Sequence, residues 1–132
     1  MDISVTTETW TVEDRSWLGS RDGTQYTQSC TLYVPAFTRA THYPQGFIPS
    51  GTALARITSG AGEGLYGPYD AAATDGRAEP EGFLFNSTPV REGGATNLGA
   101  PLMWRGVIKV SRLPRAVDSA GREALAAKFR FQ

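Results

Sequence analysis

The run QYTQSCTLYV, residues 25–34, alternates and then stops at Pro35. Tyr26, Cys30, Leu32 and Val34 fall on one face, with Gln28 the exception. Successive side chains of an extended chain point to opposite sides, so this pattern predicts a half-buried strand. Proline has no N–H to give to a ladder and closes the strand. A second run, LMWRGVIKVSRL (102–113), puts Leu102, Trp104, Ile108 and Val110 on one side and Arg105, Lys109 and Ser111 on the other. It stops at Pro114 and predicts that Trp104 is core. FLFNSTPV (83–90) is a third compact strand, and THYPQGFIPSGTALARIT (41–58) reads as strand, hard turn, strand around Pro49-Ser50-Gly51. The pattern is one of short strands separated by breakers, which fits a mainly β domain.

Only residues 118–128, DSAGREALAAK, predict a helix. Asp118 or Ser119 can accept from the free N–H groups of its first turn, and Leu125 and Phe129 are one turn apart. KFRF then returns to extended chain. Asp22-Gly23 and Asp75-Gly76 mark turns. Fifteen glycines and eight prolines in 132 residues reinforce a turn-rich β (α+β) reading, with one domain long enough to bury a core. Residues 1–20 are different. They are polar and threonine-rich, with Ile3 and Val5 alternating, then Trp10 and Val12, then Trp17 and Leu18. This is strand periodicity with few apolar residues, and it predicts an arm that pairs with something. The division expected is an extended arm at 1–20 and a β-rich domain at 21–132. For Trp10 and Trp17 two roles stand side by side: anchors in a binding interface, or a local staple onto the domain.

The formal net charge is zero, which gives no electrostatic reason to expect nucleic acid or a membrane surface as partner. From Trp104 onward, seven basic residues face two acids; solvated faces explain this most simply. Cys30 is the only cysteine, so no internal disulfide can form. Its alternating run predicts a small buried hydrophobe. MDISVTTETW is acidic and polar where a secretory leader needs an apolar core, and no stretch approaches the length of a membrane span. Synthesis in a cytoplasm is expected.

Chemistry is scarce. His42 has no histidine or cysteine partner and makes a poor metal ligand. Asp70, Asp75, Glu79 and Glu81 could supply a carboxylate pair, but turn capping accounts for them better. SGAGEG (59–64) lacks the Lys-Ser/Thr of a phosphate loop, and no helix pattern follows it. No enzyme, cofactor or metal site is expected.

Three blocks occur in an order that carries a resemblance: THYPQGFIPSGTALARIT, GLYGPYDAAATDGRAEPEGFLF and SRLPRAVDSAGREALAAKFRF. Together with the opening MDISVTTETWTVEDRSWLGS, the chain resembles head decoration proteins of tailed bacteriophages, closest to those of phages infecting actinobacteria. The resemblance implies a small β-sandwich or β-tulip-like decoration domain with one short C-terminal helix and an extended N-terminal arm. It implies a non-enzymatic cement protein on the virion exterior, made in the host bacterial cytoplasm. Its partners would be the major capsid protein and itself, as a homotrimer at three-fold and quasi-three-fold positions. The arm residues Ile3, Val5, Thr7, Thr9, Trp10, Val12 and Trp17 would then add a strand to the major capsid protein. The alternative is a β-clip-like module that binds a sugar or small ligand through the Pro49–Thr52 turn and the 60–70 loop.

Overall fold

A computed structural model describes residues 13–25, 27–91 and 94–132. Among them are nine strands and two short α-helices. β1 is Gln28–Tyr33, β2 Phe47–Ile48, β3 Ala53–Arg56, β4 Tyr66–Pro68 and β5 Pro80–Leu84. β6 is Thr88–Pro89, β7 Asn97–Met103, β8 Gly106–Ile108 and β9 Phe129–Phe131. α1 is Arg39–His42 and α2 is Ser119–Leu125. Five strands close a barrel in the order β1-β4-β3-β5-β7. Two small sheets, β2-β6 and β8-β9, lie outside it. The mainly β character, with two short helices, agrees with the sequence.

The longest ladder joins β1 to β7, antiparallel from Gln28↔Leu102 to Tyr33↔Asn97. Alternation then builds two cores from the same strands. Leu84 and Leu102 point into the barrel with Leu32, Ile48 and Leu54. Their neighbours Phe83 and Met103 point the other way, into a second core with Trp17, Ile108, Leu125 and Phe129. β5 and the end of β7 are therefore buried on both faces. Phe83 sits at the centre of the second core. Its ring lies 5.1 Å from Phe129, edge to face, and 5.9 Å from Trp17. Such pairs add to simple area burial.

Several sequence expectations change. β2 and β3 flank the Pro49–Thr52 turn but do not pair with one another; β2 pairs with β6, and β3 with β4 and β5. The turn passes the chain from one sheet to another. The expected strand at 83–90 is split between the end of β5 and β6. Trp104 is not core: it is 36% exposed. The run 102–113 is not one strand. β7 ends at Met103, and Gly106 adopts φ +149° before β8 begins. A Cβ at Gly106 would lie 2.9 Å from the Asp22 carbonyl oxygen, so both the backbone angle and the space there favour glycine. The break resets the alternation, and Trp104 leaves the face that Leu102 occupies.

The helix forms as expected, although one turn shorter. Asp118 caps it by accepting from the Gly121 N–H at 2.8 Å. β9 forms as expected, parallel to β8, with Gly106↔Phe129 and Ile108↔Phe131.

Candidate interface at the root of the N-terminal segment

The Pro49–Thr52 turn is a densely bonded polar feature outside the ladders. Gly51 takes φ +93°, Thr52 N–H donates to the Pro49 carbonyl, and the Thr52 hydroxyl donates to the same oxygen at 2.7 Å. The Gly51 N–H reaches the Leu84 carbonyl at 2.7 Å, which ties the turn to β5. Ser50 and Thr52 are both buried, and these bonds are what permits it.

Into this turn fits Trp17. Its indole Nε1–H donates to Ser50 Oγ at 3.1 Å. The Ser50 hydroxyl donates onward to the Phe85 carbonyl at 2.7 Å. A Cβ on Gly51 would lie 2.9 Å from the Trp17 ring, so the missing side chain makes room for the indole. Trp17 is 1% exposed and belongs to the second core. Of the two roles that the sequence left open for Trp17, the structure displays the staple. Its grouping with an extended arm is corrected to this extent: the indole is held by Ser50 and Phe83 of its own domain. Ile3, Val5, Thr7, Thr9, Trp10 and Val12 lie outside the described residues.

Residues before Trp17 are fixed as well. Glu13 Oε1 accepts from both the N–H and the hydroxyl of Ser87, at 2.9 and 3.0 Å. Ser87 Oγ accepts in turn from the Ser50 N–H at 3.0 Å. Arg15 Nε donates to the Phe85 carbonyl at 3.1 Å, Nη2 donates to Asn86 Oδ1, and the guanidinium lies 4.2 Å over the Phe85 ring. Asp14 accepts from the Ser16 N–H, which holds its carboxyl below the usual carboxylate range. Past Trp17 the chain pairs with β8: Leu18 bridges Ile108, and Lys109 N–H donates to the Trp17 carbonyl at 2.7 Å. Glu13–Leu18 is thus a root fastened to three parts of the domain: the 49–52 turn, the 85–87 turn and β8. Sequence reading singled out Ser50 as part of a distinctive turn. Glu13, Arg15 and the Phe85–Ser87 turn carry no local signal, since each acts through a contact about 70 residues away.

The other candidate groups have settled local roles. His42 Nδ1 accepts from the Thr38 N–H at 2.8 Å, and the ring stands edge-on to Phe37. Burial, then the Arg115 charge, lower its pKa, so the neutral ring carries its proton on Nε2. Asp70 accepts from the Ala72 N–H, Asp75 pairs with Arg77 Nε at 3.0 Å, and Glu81 accepts from the Tyr66 hydroxyl at 2.7 Å. Burial, then that Glu81 contact, push Tyr66 up to about 12. Burial pushes the Cys30 thiol up to about 11, which keeps it protonated. Asp70, Asp75 and Glu81 are thus turn and partner groups, and Glu79 is exposed. Among the described residues no group of three or more His, Cys, Asp or Glu is placed to hold a metal ion, and no helix is long and apolar enough to cross a membrane.

Compared with family models, with curated proteins and with solved structures, the chain matches none.

Proposed function

We propose that this chain is a structural virion protein, a head decoration protein of a tailed bacteriophage. It binds the outer surface of the expanded head as trimers and cements it, using residues 1–12 to add a strand to the major capsid protein. The β-tulip-like classification and the exterior location belong to the same proposal. Two things support it: the motif blocks named above, and one structural observation that carries the reading. That observation is the root. Glu13, Arg15 and Trp17 bind the start of the described chain to two turns and the second core. A segment that must hold a partner can transmit force only if its base is fixed to the domain. Strand addition would supply main-chain hydrogen bonds along Ile3 to Val12, with alternate side chains giving selectivity. Three such segments on one trimer would raise avidity by roughly 10²–10⁴ over one, through effective concentration. Binding only the assembled lattice stabilises it by mass action, without turnover.

The test is attachment to cognate expanded and unexpanded heads, measured by co-sedimentation, for the full chain and for a chain lacking residues 2–12. The deletion spares Glu13, Arg15 and Trp17, so the domain keeps its melting temperature while attachment falls at least tenfold. Equal attachment of the two chains, or equal heat resistance of bare and decorated heads, overturns the proposal.

A further inference from the structure

The molecule has no net charge, yet two of its surfaces carry opposite charges. One is the outer face of β8–β9. A Cβ at Gly19 would touch Val107 Cγ1 at 2.6 Å and Gln132 Oε1 at 3.0 Å, which puts Gly19, Val107 and Gln132 on one side of this sheet. Val107 pairs with Arg130, so Arg130 shares that side; Lys109 directly follows β8 and Lys128 directly precedes β9, so the two lie at the ends of the sheet. All three cations are exposed. Arg105 beside them is neutralised by Asp22 at 3.1 Å; no ion pair among the described residues neutralises the other three.

The second surface is the pair of loops after β3 and β4. Residues 59–81 hold five acids and a single base, Arg77. Arg77 is taken by Asp75, and Glu81 by the Tyr66 hydroxyl. Glu63, Asp70 and Glu79 remain exposed, and no ion pair among the described residues engages them. The two loops form one surface: Thr58 N–H donates to the Asp75 carbonyl at 2.7 Å, and Asp70 N–H to the Arg77 carbonyl.

We infer that the cationic face of β8–β9 docks on the acidic β3–β4 and β4–β5 loops of a second copy of this chain, head to tail. Exposed Arg130 on the sheet, with exposed Lys109 and Lys128 at its ends, is matched by exposed Glu63, Asp70 and Glu79 on the two loops. The two sets belong to different surfaces of one chain, so the contact is heterologous: each copy keeps one of each surface free, and successive copies form a ring when the rotation between them closes. Like-to-like contact of either surface would set equal charges against each other. A nucleic-acid partner suits the basic face alone, but the acidic loops on the same molecule would repel it. The inference names the self-contact within the coat-protein reading and rests on that reading only for its use. The contact itself is measured without any phage head.

The experiment is sedimentation velocity of the full chain across a concentration series. Raising salt from about 0.01 M to about 0.3 M shortens the screening length roughly fivefold, and the association constant is expected to fall at least tenfold. Two charge-reversed variants sharpen it. Lys109→Glu with Arg130→Glu should be monomeric, and so should Glu63→Lys with Glu79→Lys. An equimolar mixture of the two should associate again, because one native contact is restored and, in the other, two charges on each side are swapped. All four sites are exposed, and the melting temperature checks each fold. Should either pair fail to fold, Arg130→Gln and Glu79→Gln are the substitutes, each weakening association at low salt. A wild type monomeric at every concentration at low salt overturns the inference. So does salt-insensitive association, or a mixture that stays monomeric. Binding of a DNA duplex without self-association overturns it in favour of a polyanion. Loss of head attachment with self-association intact counts against the coat-protein reading alone.

Discussion

The N-terminal root and the β7–β8 turn each carry one tryptophan on a segment that joins the barrel to the β8–β9 sheet. Their surroundings are opposite. Trp17 is 1% exposed, its indole N–H is bonded to Ser50, and its ring lies against Phe83. Trp104 is 36% exposed and follows Met103, the last residue of β7. The difference teaches where a large aromatic side chain can be buried. A tryptophan needs a concave receptor with an acceptor for its N–H. The 49–52 turn provides that receptor, with Gly51 leaving the space and Ser50 the oxygen. A turn residue between two strands, pushed outward by the strand's end, has no such receptor.

The largest expected effect tests the root. Trp17→Ala removes the side chain that links the second core to the 49–52 turn and should destabilise by about 3–5 kcal/mol in denaturant unfolding. A loss below 1 kcal/mol, on the order of an ordinary surface change, would make the two tryptophans equivalent and break the comparison.

Ser50→Ala isolates the polar half of the receptor. It leaves the buried indole N–H without its acceptor, and leaves the Phe85 carbonyl with the Arg15 bond alone, for a cost of about 1–3 kcal/mol. In the Trp17→Phe background, which has no N–H to satisfy, the same change should cost less. A double-mutant cycle on melting curves measures the difference.

A smaller effect concerns α2, whose Leu125 packs into the core that Trp17 completes. Asp118 accepts from the Tyr69 hydroxyl at 2.7 Å and from the Gly121 N–H, and these bonds, Tyr69 first, hold its carboxyl below the ordinary value. The folded pKa is depressed, so the stabilisation is present above the unfolded value of about 4 and disappears as pH falls through the folded one. Wild type should therefore melt above Asp118→Asn at neutral pH, with the gap closing below about pH 4. Burial and the Asp118 bond raise Tyr69 to about 12, so its contribution is complete below the unfolded value near 10 and fades as pH passes the folded one. A gap that is constant from acid to neutral pH would show that the carboxylate charge plays no part in holding α2.

The smallest effect is Trp104→Ala. A turn residue that belongs to neither core should change stability by about 1 kcal/mol or less. A loss as large as that at Trp17 would show that Trp104 is covered in solution, and would invert the contrast from the other side.

The amino-acid sequence determined the local features. Alternation placed Cys30 and Leu32 on the inner face of β1, Asp118 capped α2, Asp22-Gly23 and Asp75-Gly76 made turns with positive φ at each glycine, and the chain came out mainly β. Each rests on neighbours within a few residues, where steric limits and hydrogen-bond reach act regardless of the rest of the fold. Tertiary structure alone decided that the strands close a barrel, that Phe83 and Met103 turn outward into a second core, and that Trp17 rather than Trp104 is buried. It also made the Pro49–Thr52 turn a socket instead of a hairpin tip. Those outcomes depend on pairings such as Ser50 with Trp17 and Ser87 with Glu13, between segments 33 and 74 residues apart. No local pattern encodes them, because the energy that selects them arises only when distant surfaces meet and exclude water.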